Sequence, residues 1–352
     1  MTRLRKQCYS ARKAGSIVVT SLFIMGCLLL PSSSIAKEIN VKMATYLTPS
    51  YVDLMSAMQG FVDEVNAKGK GKIKIDFYHS GTLLEVRELI PGLMGGSADI
   101  VVLPTTFVMG TYPMTGVLSL PLLFESVDHF VNAVKMDSPL YNFLNQDLAK
   151  KNIYAIFGPG DTREILWTKK PVRKPDDLKG LKIRTPGVLQ AKEIEAYGAA
   201  PVTIGSNELY LALQTGVCDG TLNSHSSTVA RAIQEVIRYG TFPKVPFEFY
   251  GGNDLYFRAD WLAKLPKDVH VIIMEAGKNY QATIARETVR VVKEVYEPKL
   301  KQAGVEFIYL TDEETDLFKQ KVTKVWDFWV SQAGKDANKA IDLAKQAVVK
   351  KK

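Results

Sequence analysis

Residues 72–78 read Lys-Ile-Lys-Ile-Asp-Phe-Tyr, with Ile73, Ile75 and Phe77 alternating against polar neighbours. A period of two belongs to a β-strand with one buried face. Upstream, Tyr51 to Ala67 sets Leu54, Met58, Phe61 and Val65 at helical spacing, and Ile39 to Thr45 is a short apolar run. Downstream, Glu85 to Met94 reads as a helix stopped by Gly95-Gly96, and Asp99 to Leu103 as a buried strand ending at Pro104. The order β-α-β-α-β implies a largely parallel sheet with helices on both faces.

A second unit of the same kind follows. Ile153 to Phe157 and Leu181 to Arg184 read as strands, with Leu166 to Thr168 continuing as a crossing segment. Leu189 to Tyr197 reads as a helix, Pro201 to Ile204 as a short strand, and Glu208 to Gln214 as a helix capped by Gly216. Asp219-Gly220 reads as a turn. From Pro266 to about Lys301, apolar residues at Val269, Ile272, Ala276, Tyr280, Ile284, Val291 and Val295 outline a long helix, with a break expected near Gly277. Phe318, Val322, Val325 and Trp329 outline another. Two α/β units predict two lobes around a cleft, crossed by the long helix. Ligands in open α/β sheets sit beyond the carboxyl ends of the strands, which makes Tyr46, Thr105, Thr106 and Arg184 pocket candidates.

The chain has 45 basic and 37 acidic residues, a net charge of +8. Residues 1–36 contain Arg3, Arg5, Lys6, Arg12 and Lys13 and no acid, so the remainder is close to balanced. No stripe of Lys and Arg points to nucleic acid. The basic start, the apolar run from Ile17 to Leu30, Pro31 and the small residues Ser34-Ile35-Ala36 predict a secretory signal peptide over 1–36. The apolar run falls short of the ~20 residues of a membrane span. Ile24-Met25-Gly26-Cys27 only loosely resembles a lipoprotein signal. Cleavage would leave Cys218 alone, so no internal disulfide is expected.

The four histidines make no H-E-x-x-H, and C-x-x-C, G-x-S-x-G and phosphate-loop patterns are missing. No cofactor and no metal are expected. Gly158-Pro159-Gly160 begins like a dinucleotide fingerprint, but Arg163 stands where the third glycine belongs. An enzyme acting on an organic acid would need a base or nucleophile near Arg184, where Glu208 and Tyr210 are the nearest candidates.

Two stretches remain. Gly180-Leu-Lys-Ile-Arg184-Thr-Pro-Gly187 ends an apolar strand on a cation facing a turn. A lone arginine there is ordinarily a structural ion pair, yet its paired donors also suit a carboxylate. Asn207 to Gly220 is a helix and turn with Asn223 just beyond.

Together with His79-Ser-Gly-Thr-Leu83, Gly96-Ser-Ala-Asp-Ile100, Ser119-Leu-Pro-Leu-Leu-Phe124 and Asp176 to Arg184, these stretches resemble the solute-binding subunits of tripartite ATP-independent periplasmic (TRAP) transporters, the dicarboxylate-binding-protein family. The resemblance covers the whole chain after the leader. It implies the two-lobed periplasmic binding protein fold, an α/β architecture with a cleft between lobes and a long helix spanning both. Lobe I is expected over 37–160 with a return over about 250–288, and lobe II over 161–249 with about 289–352. The resemblance further implies a monomeric periplasmic protein that captures a small organic acid and passes it to a small and a large membrane subunit, driven by an ion gradient.

The family's main carboxylate-binding arginine matches Arg184, its frequent second arginine Arg163, and its asparagine after the turn Asn223. Asp161 or Glu164 could instead neutralise Arg163. Sialic-acid binders of the family place asparagine at Tyr46 and glutamate near Pro104, and many members have an acid at Leu222. This chain offers Tyr46, Thr105, Thr106, Trp167 and Phe249. The ligand expected from those departures is a hydroxy-, keto- or aromatic acid with an apolar part. An alternative for the same fold is a ligand-binding partner of a membrane sensor.

Overall fold

A computed structural model describes residues 37–249 and 253–348. The expected signal peptide over 1–36 lies outside them. Five strands form one sheet: β1 (Ile39–Thr45), β2 (Ile73–Tyr78), β3 (Ile100–Leu103), β4 (Ile153–Ile156) and β10 (Asp254–Arg258), in the order β2-β1-β3-β10-β4. The second sheet holds β5 (Ile165–Thr168), β6 (Lys182–Thr185), β7 (Ala200–Thr203), β8 (Gly220–Asn223), β9 (Tyr239–Phe242) and β11 (Glu306–Tyr309), in the order β11-β9-β5-β8-β6-β7. β1 runs parallel to β2 and β3, as the alternating helices and strands require, and β6 runs parallel to β7 and β8. β10 is antiparallel to β3 and β4, and β5 to β8 and β9.

Gly220 begins β8 and does not simply close a turn. A Cβ there would lie 2.6 Å from the Trp167 carbonyl oxygen and 2.8 Å from Thr168 Cγ2, so only glycine lets β8 lie this close to β5. Glu85 to Glu88 is turn, and the helix begins at Leu89.

The chain crosses between sheets after β4 and again after β9. The two crossing segments pair at Arg163 and Phe249, and Glu164 N donates to the Glu248 carbonyl at 2.9 Å. The long helix Lys267–Val291 holds them. Gln281 Nε2 donates to Phe157 O at 2.6 Å, and Asp161 N to Thr288 Oγ1 at 2.9 Å. Glycines make this approach possible: a Cβ on Gly158 would sit 2.1 Å from Asn253 O, and one on Gly160 2.5 Å from Thr288 Oγ1. The glycines that imitate a dinucleotide fingerprint are therefore explained by backbone packing at the crossing.

Ile273, Ala276, Tyr280 and Ile284 of the long helix pack in the first lobe's core, and Val291, Val292, Tyr296 and Leu300 beyond it pack in the second's. The helix passes through Gly277 unbroken; glycine stands there where the helix packs on Ile156, whose Cδ1 would lie 2.5 Å from a Cβ. The break lies further on, in a π-helical segment over Val292–Tyr296. The assignment of all of 289–352 to lobe II needs correction. Helix Asp312–Ala333 divides its buried residues, Phe318 and Val322 in lobe II, Val325 and Trp329 in lobe I. The last helix, Ala337–Gln346, buries Ala337, Ala340, Ile341 and Ala344 in lobe I. An apolar stripe records that a helix is covered but not by which sheet.

Candidate ligand-binding site

β6 places Arg184 at its carboxyl end, 2% exposed. Its Nε donates to Ile204 O and its Nη2 to Ser206 Oγ, both at 3.1 Å. Both acceptors are neutral, and among the described residues no carboxylate lies within ion-pair distance of the guanidinium. Arg184 is thus not the structural ion pair that a lone arginine usually makes. Two of five donors are used. A buried cation without a counter-ion is unfavourable unless an anion completes it.

The lobes meet beside it. Tyr46, at the end of β1, packs edge-on against Phe107 with ring centroids 5.8 Å apart. Burial and the neighbouring Tyr51 push its phenol above the ordinary tyrosine value, while Arg231 and Arg184 pull the other way. The chain around Tyr46 is held by the turn after β2, where Gly81 N donates to Thr45 O at 3.1 Å and Ser80 N to Leu47 O at 2.8 Å. Thr105 is fully buried and donates to Asp254 Oδ2 at 2.6 Å; Asp254 is itself pushed up to about 7 by burial. Thr106 reaches the other lobe: a Cβ on Gly187 would meet its Cγ2 at 2.7 Å. Asn223, at the end of β8, is 1% exposed and its Nδ2 lies 3.4 Å from Thr228 Oγ1. A cavity of about 20 Å³ lies in the seam, between Tyr46 and Pro104 on one side and Thr162 and Ser224 on the other. That is room for about one water molecule.

Three further expected residues lie elsewhere. Arg163 forms a two-pronged pair with Asp161, Nε to Oδ1 at 2.5 Å and Nη2 to Oδ2 at 2.6 Å. It lines a different pocket, with Phe242, Glu297 and Tyr309. Trp167 and Phe249, expected as ligand-facing aromatics, are both packed among core side chains. Trp167 is fully buried among His225, Phe242 and Phe307, and its Nε1 donates to Asn223 O at 2.8 Å. Phe249 stacks on Phe130 at 4.5 Å with Phe124 at its edge. Large aromatic surfaces stabilise a core more than a solvent-filled cleft. Of the two bases weighed for an enzyme, Tyr210 donates its hydroxyl to Glu235 at 2.9 Å.

Sequence reasoning missed two groups. Asp53, in the first turn of helix Val52–Lys68, is fully buried and accepts hydrogen bonds from Ser226 Oγ and from Tyr296 OH at 2.8 Å. Its carboxyl is raised by burial, against both hydrogen bonds. Beside it Tyr51 OH lies 3.3 Å from Ser227 Oγ, and Arg231 lies over the Tyr51 ring. These contacts fasten lobe I to lobe II. An acid at a helix start looks like an ordinary dipole-complementing residue, so nothing in the sequence singles it out. The second group is a set of buried glutamates, Glu164, Glu193 and Glu248. Burial raises Glu164 to about 8 against the pull of Arg184, and Glu193 to about 8 as well. Burial favours their neutral forms, so they offset the positive charge of Arg184 less than free carboxylates would.

The profile of the bacterial extracellular solute-binding protein family 7, the DctP family, matches residues 43–332. The chain belongs to that family. It is a solute-binding protein, as the resemblance implied. A solute-binding protein of Chromohalobacter salexigens is 28% identical over 293 residues, covering 81% of this chain and 82% of the relative. The C4-dicarboxylate-binding periplasmic protein of Rhodobacter capsulatus is 26% identical over 325 residues, 90% of this chain and 94% of the relative. Solved structures show the same fold. A Chromohalobacter salexigens TRAP periplasmic solute-binding protein with bound d-glucuronate superposes with a TM-score of 0.78 at 23% identity, over 88% of this chain and 100% of that one. A Bordetella pertussis extracytoplasmic solute receptor binding pyroglutamic acid gives 0.78 at 21% identity, over 87% and 99%. Among the described residues no helix is long and apolar enough to cross a membrane.

Proposed function

We propose that this solute-binding protein captures a small organic acid by its carboxylate on Arg184 and hands it, in the periplasm, to the paired membrane subunits of a TRAP transporter. Residues 1–36 then serve as the export signal, and the mature chain acts as a monomer. The observation that carries the reading is Arg184: buried, without an ion-pair partner among the described residues, and anchored by neutral acceptors at a strand end beside the lobe seam. Tyr46, Asn223, Thr105 and Thr106 line the surroundings in this reading. Arg163 contributes if its pair with Asp161 opens to an incoming anion. The relatives named for C4-dicarboxylates and the neighbours that hold glucuronate or pyroglutamate are all in keeping with a carboxylate ligand. The closed seam fits lobes that shut over a bound solute.

Native mass spectrometry of protein purified under mild conditions, followed by thermal-shift screening of carboxylic acids on the ligand-free protein, tests this. One bound acid per chain and an upward shift of the unfolding midpoint are expected. Stabilisation by uncharged sugars or by cations, with no carboxylate effective, would overturn the reading.

A further inference from the structure

The helix that follows Arg184 is buried in both lobes. Helix Val188–Ala196 starts after β6 with only Pro186 and Gly187 between, so Leu189 stands five residues beyond Arg184. Further along, Ile194 is buried in the lobe II core with Ile183 and Phe318, and Tyr197 just past the helix joins them. Leu189 is buried in the core of lobe I instead, 1% exposed. Val188 before it is 47% exposed, so this burial belongs to one side chain and not to the whole helix start.

Lobe I offers Leu189 a shaped socket. A Cβ on Gly116 would lie 3.4 Å from Leu189 Cδ1 and 2.6 Å from Trp329 Nε1, so only glycine leaves room for both. Trp329 is fixed there by donating Nε1 to Pro113 O at 2.8 Å. Gly187 lets the helix start approach Thr106, whose Cγ2 would lie 2.7 Å from a Cβ. A side chain at Gly187 would push the two lobes apart. Beside the socket an apolar hollow of about 100 Å³ is lined by Met109, Pro113 and Trp329 of lobe I and by Val188 and Leu189.

This contact differs from the one made by Asp53. It carries no polar group to desolvate, so burial of the leucine favours the joined lobes directly. If the lobes part at the seam, Leu189 must leave its socket, because Ile194 roots the same helix in lobe II. Its backbone is continuous with the strand end that carries Arg184. We infer that Leu189 is a positioning residue for solute capture: seated in lobe I, it holds the Arg184 strand end against that lobe and keeps the bound acid enclosed. The inference rests on the carboxylate reading of Arg184.

The test compares the parent with Leu189→Ala, Leu189→Val, Leu189→Met, Ile194→Ala and Arg184→Ala. The probe is the tightest binder among lactate, 2-oxobutanoate, succinate, gluconate and benzoate. Titration calorimetry gives affinity, stopped flow gives the rates, and thermal scans are run with and without the probe. Leu189→Ala should bind roughly tenfold or more weakly. The loss should lie in faster release, with association little changed. Its ligand-free midpoint should stay near the parent's, while the upward shift at saturation shrinks. Leu189→Met, close in volume, should restore most of the affinity. Leu189→Val should show a smaller loss of the same kind, and it decides the case should the alanine variant not fold. Ile194→Ala, confined to the lobe II core, should lower both midpoints together and leave affinity unchanged. Parent-like affinity and release in the Leu189 variants, with both midpoints lowered as in Ile194→Ala, would make Leu189 an ordinary core residue and overturn this role while Arg184 stands. No acid bound by the parent, or binding indifferent to Arg184→Ala, would overturn the carboxylate reading and this role with it.

Discussion

Truncating Arg184 to alanine separates the two jobs of that side chain. In the free protein its bonds go to Ile204 O and Ser206 Oγ, neutral acceptors that contribute about 1 kcal/mol each. Their loss lowers stability modestly and leaves no carboxylate stranded, since none is paired with it among the described residues. In the complex the same substitution removes a desolvated, charge-assisted pair, which costs about 2–5 kcal/mol. At 1.4 kcal/mol per decade, the dissociation constant should rise roughly 30- to 4,000-fold. Arg184→Lys should fall between the two, because one ammonium keeps the charge but cannot hold Ile204, Ser206 and a carboxylate together. Titration calorimetry with the acid identified by mass spectrometry gives both constants. A thermal scan of the ligand-free variants shows that they fold. If Arg184→Ala binds within about threefold of the parent, the buried guanidinium does not hold the ligand, and its unpaired state needs another cause.

Asp53→Ala removes two hydrogen bonds that tie helix Val52–Lys68 to Ser226 and Tyr296. After allowance for the burial of the carboxylate, about 1–3 kcal/mol of the closed state should go. Affinity then falls roughly 5- to 150-fold, and small-angle scattering of the liganded protein should report a larger radius; an unchanged dissociation rate would count against this latch. Glu164 and Glu193 titrate near 8 in the folded protein, well above an unfolded glutamate. At these two sites the native state therefore binds more protons, so their contribution to stability is greatest at low pH and is lost as the solution passes from about pH 5 through pH 8. The thermal midpoint should drop between pH 6 and 9, less so in Glu193→Gln, and an equal slope in both would refute that origin. Ionisation of the cluster, with Glu248 and Tyr197 beside it, should also weaken carboxylate binding above pH 8 by opposing Arg184. Trp167→Ala should cost about 3–5 kcal/mol of stability. Any folded fraction should bind ligand with nearly the parent constant, and a selective loss of affinity would return Trp167 to the site.

The alternation around Ile73, Ile75 and Phe77 and the order of helices and strands were enough for two α/β units, because side-chain period is a local property of the backbone. The cation at the end of β6 was legible for the same reason, and its segment identified the family. Strands β9, β10 and β11 were not, since each is a short run whose sheet neighbours come from far along the chain. The destination of the C-terminal helices was hidden too, because an apolar stripe is the same whichever lobe covers it. The state of the candidate side chains was decided only in three dimensions. Arg163, Arg184, Trp167 and Phe249 are all plausible ligand contacts in one dimension. The folded chain gives Arg163 a carboxylate two residues away and gives Trp167 and Phe249 aromatic neighbours from distant elements. Arg184 alone of the four is left buried with donors to spare, and the glutamates behind it acquire raised protonation equilibria from burial that no residue type encodes by itself. Charge and residue identity travel with the sequence; partners and dielectric surroundings are properties of the packed chain.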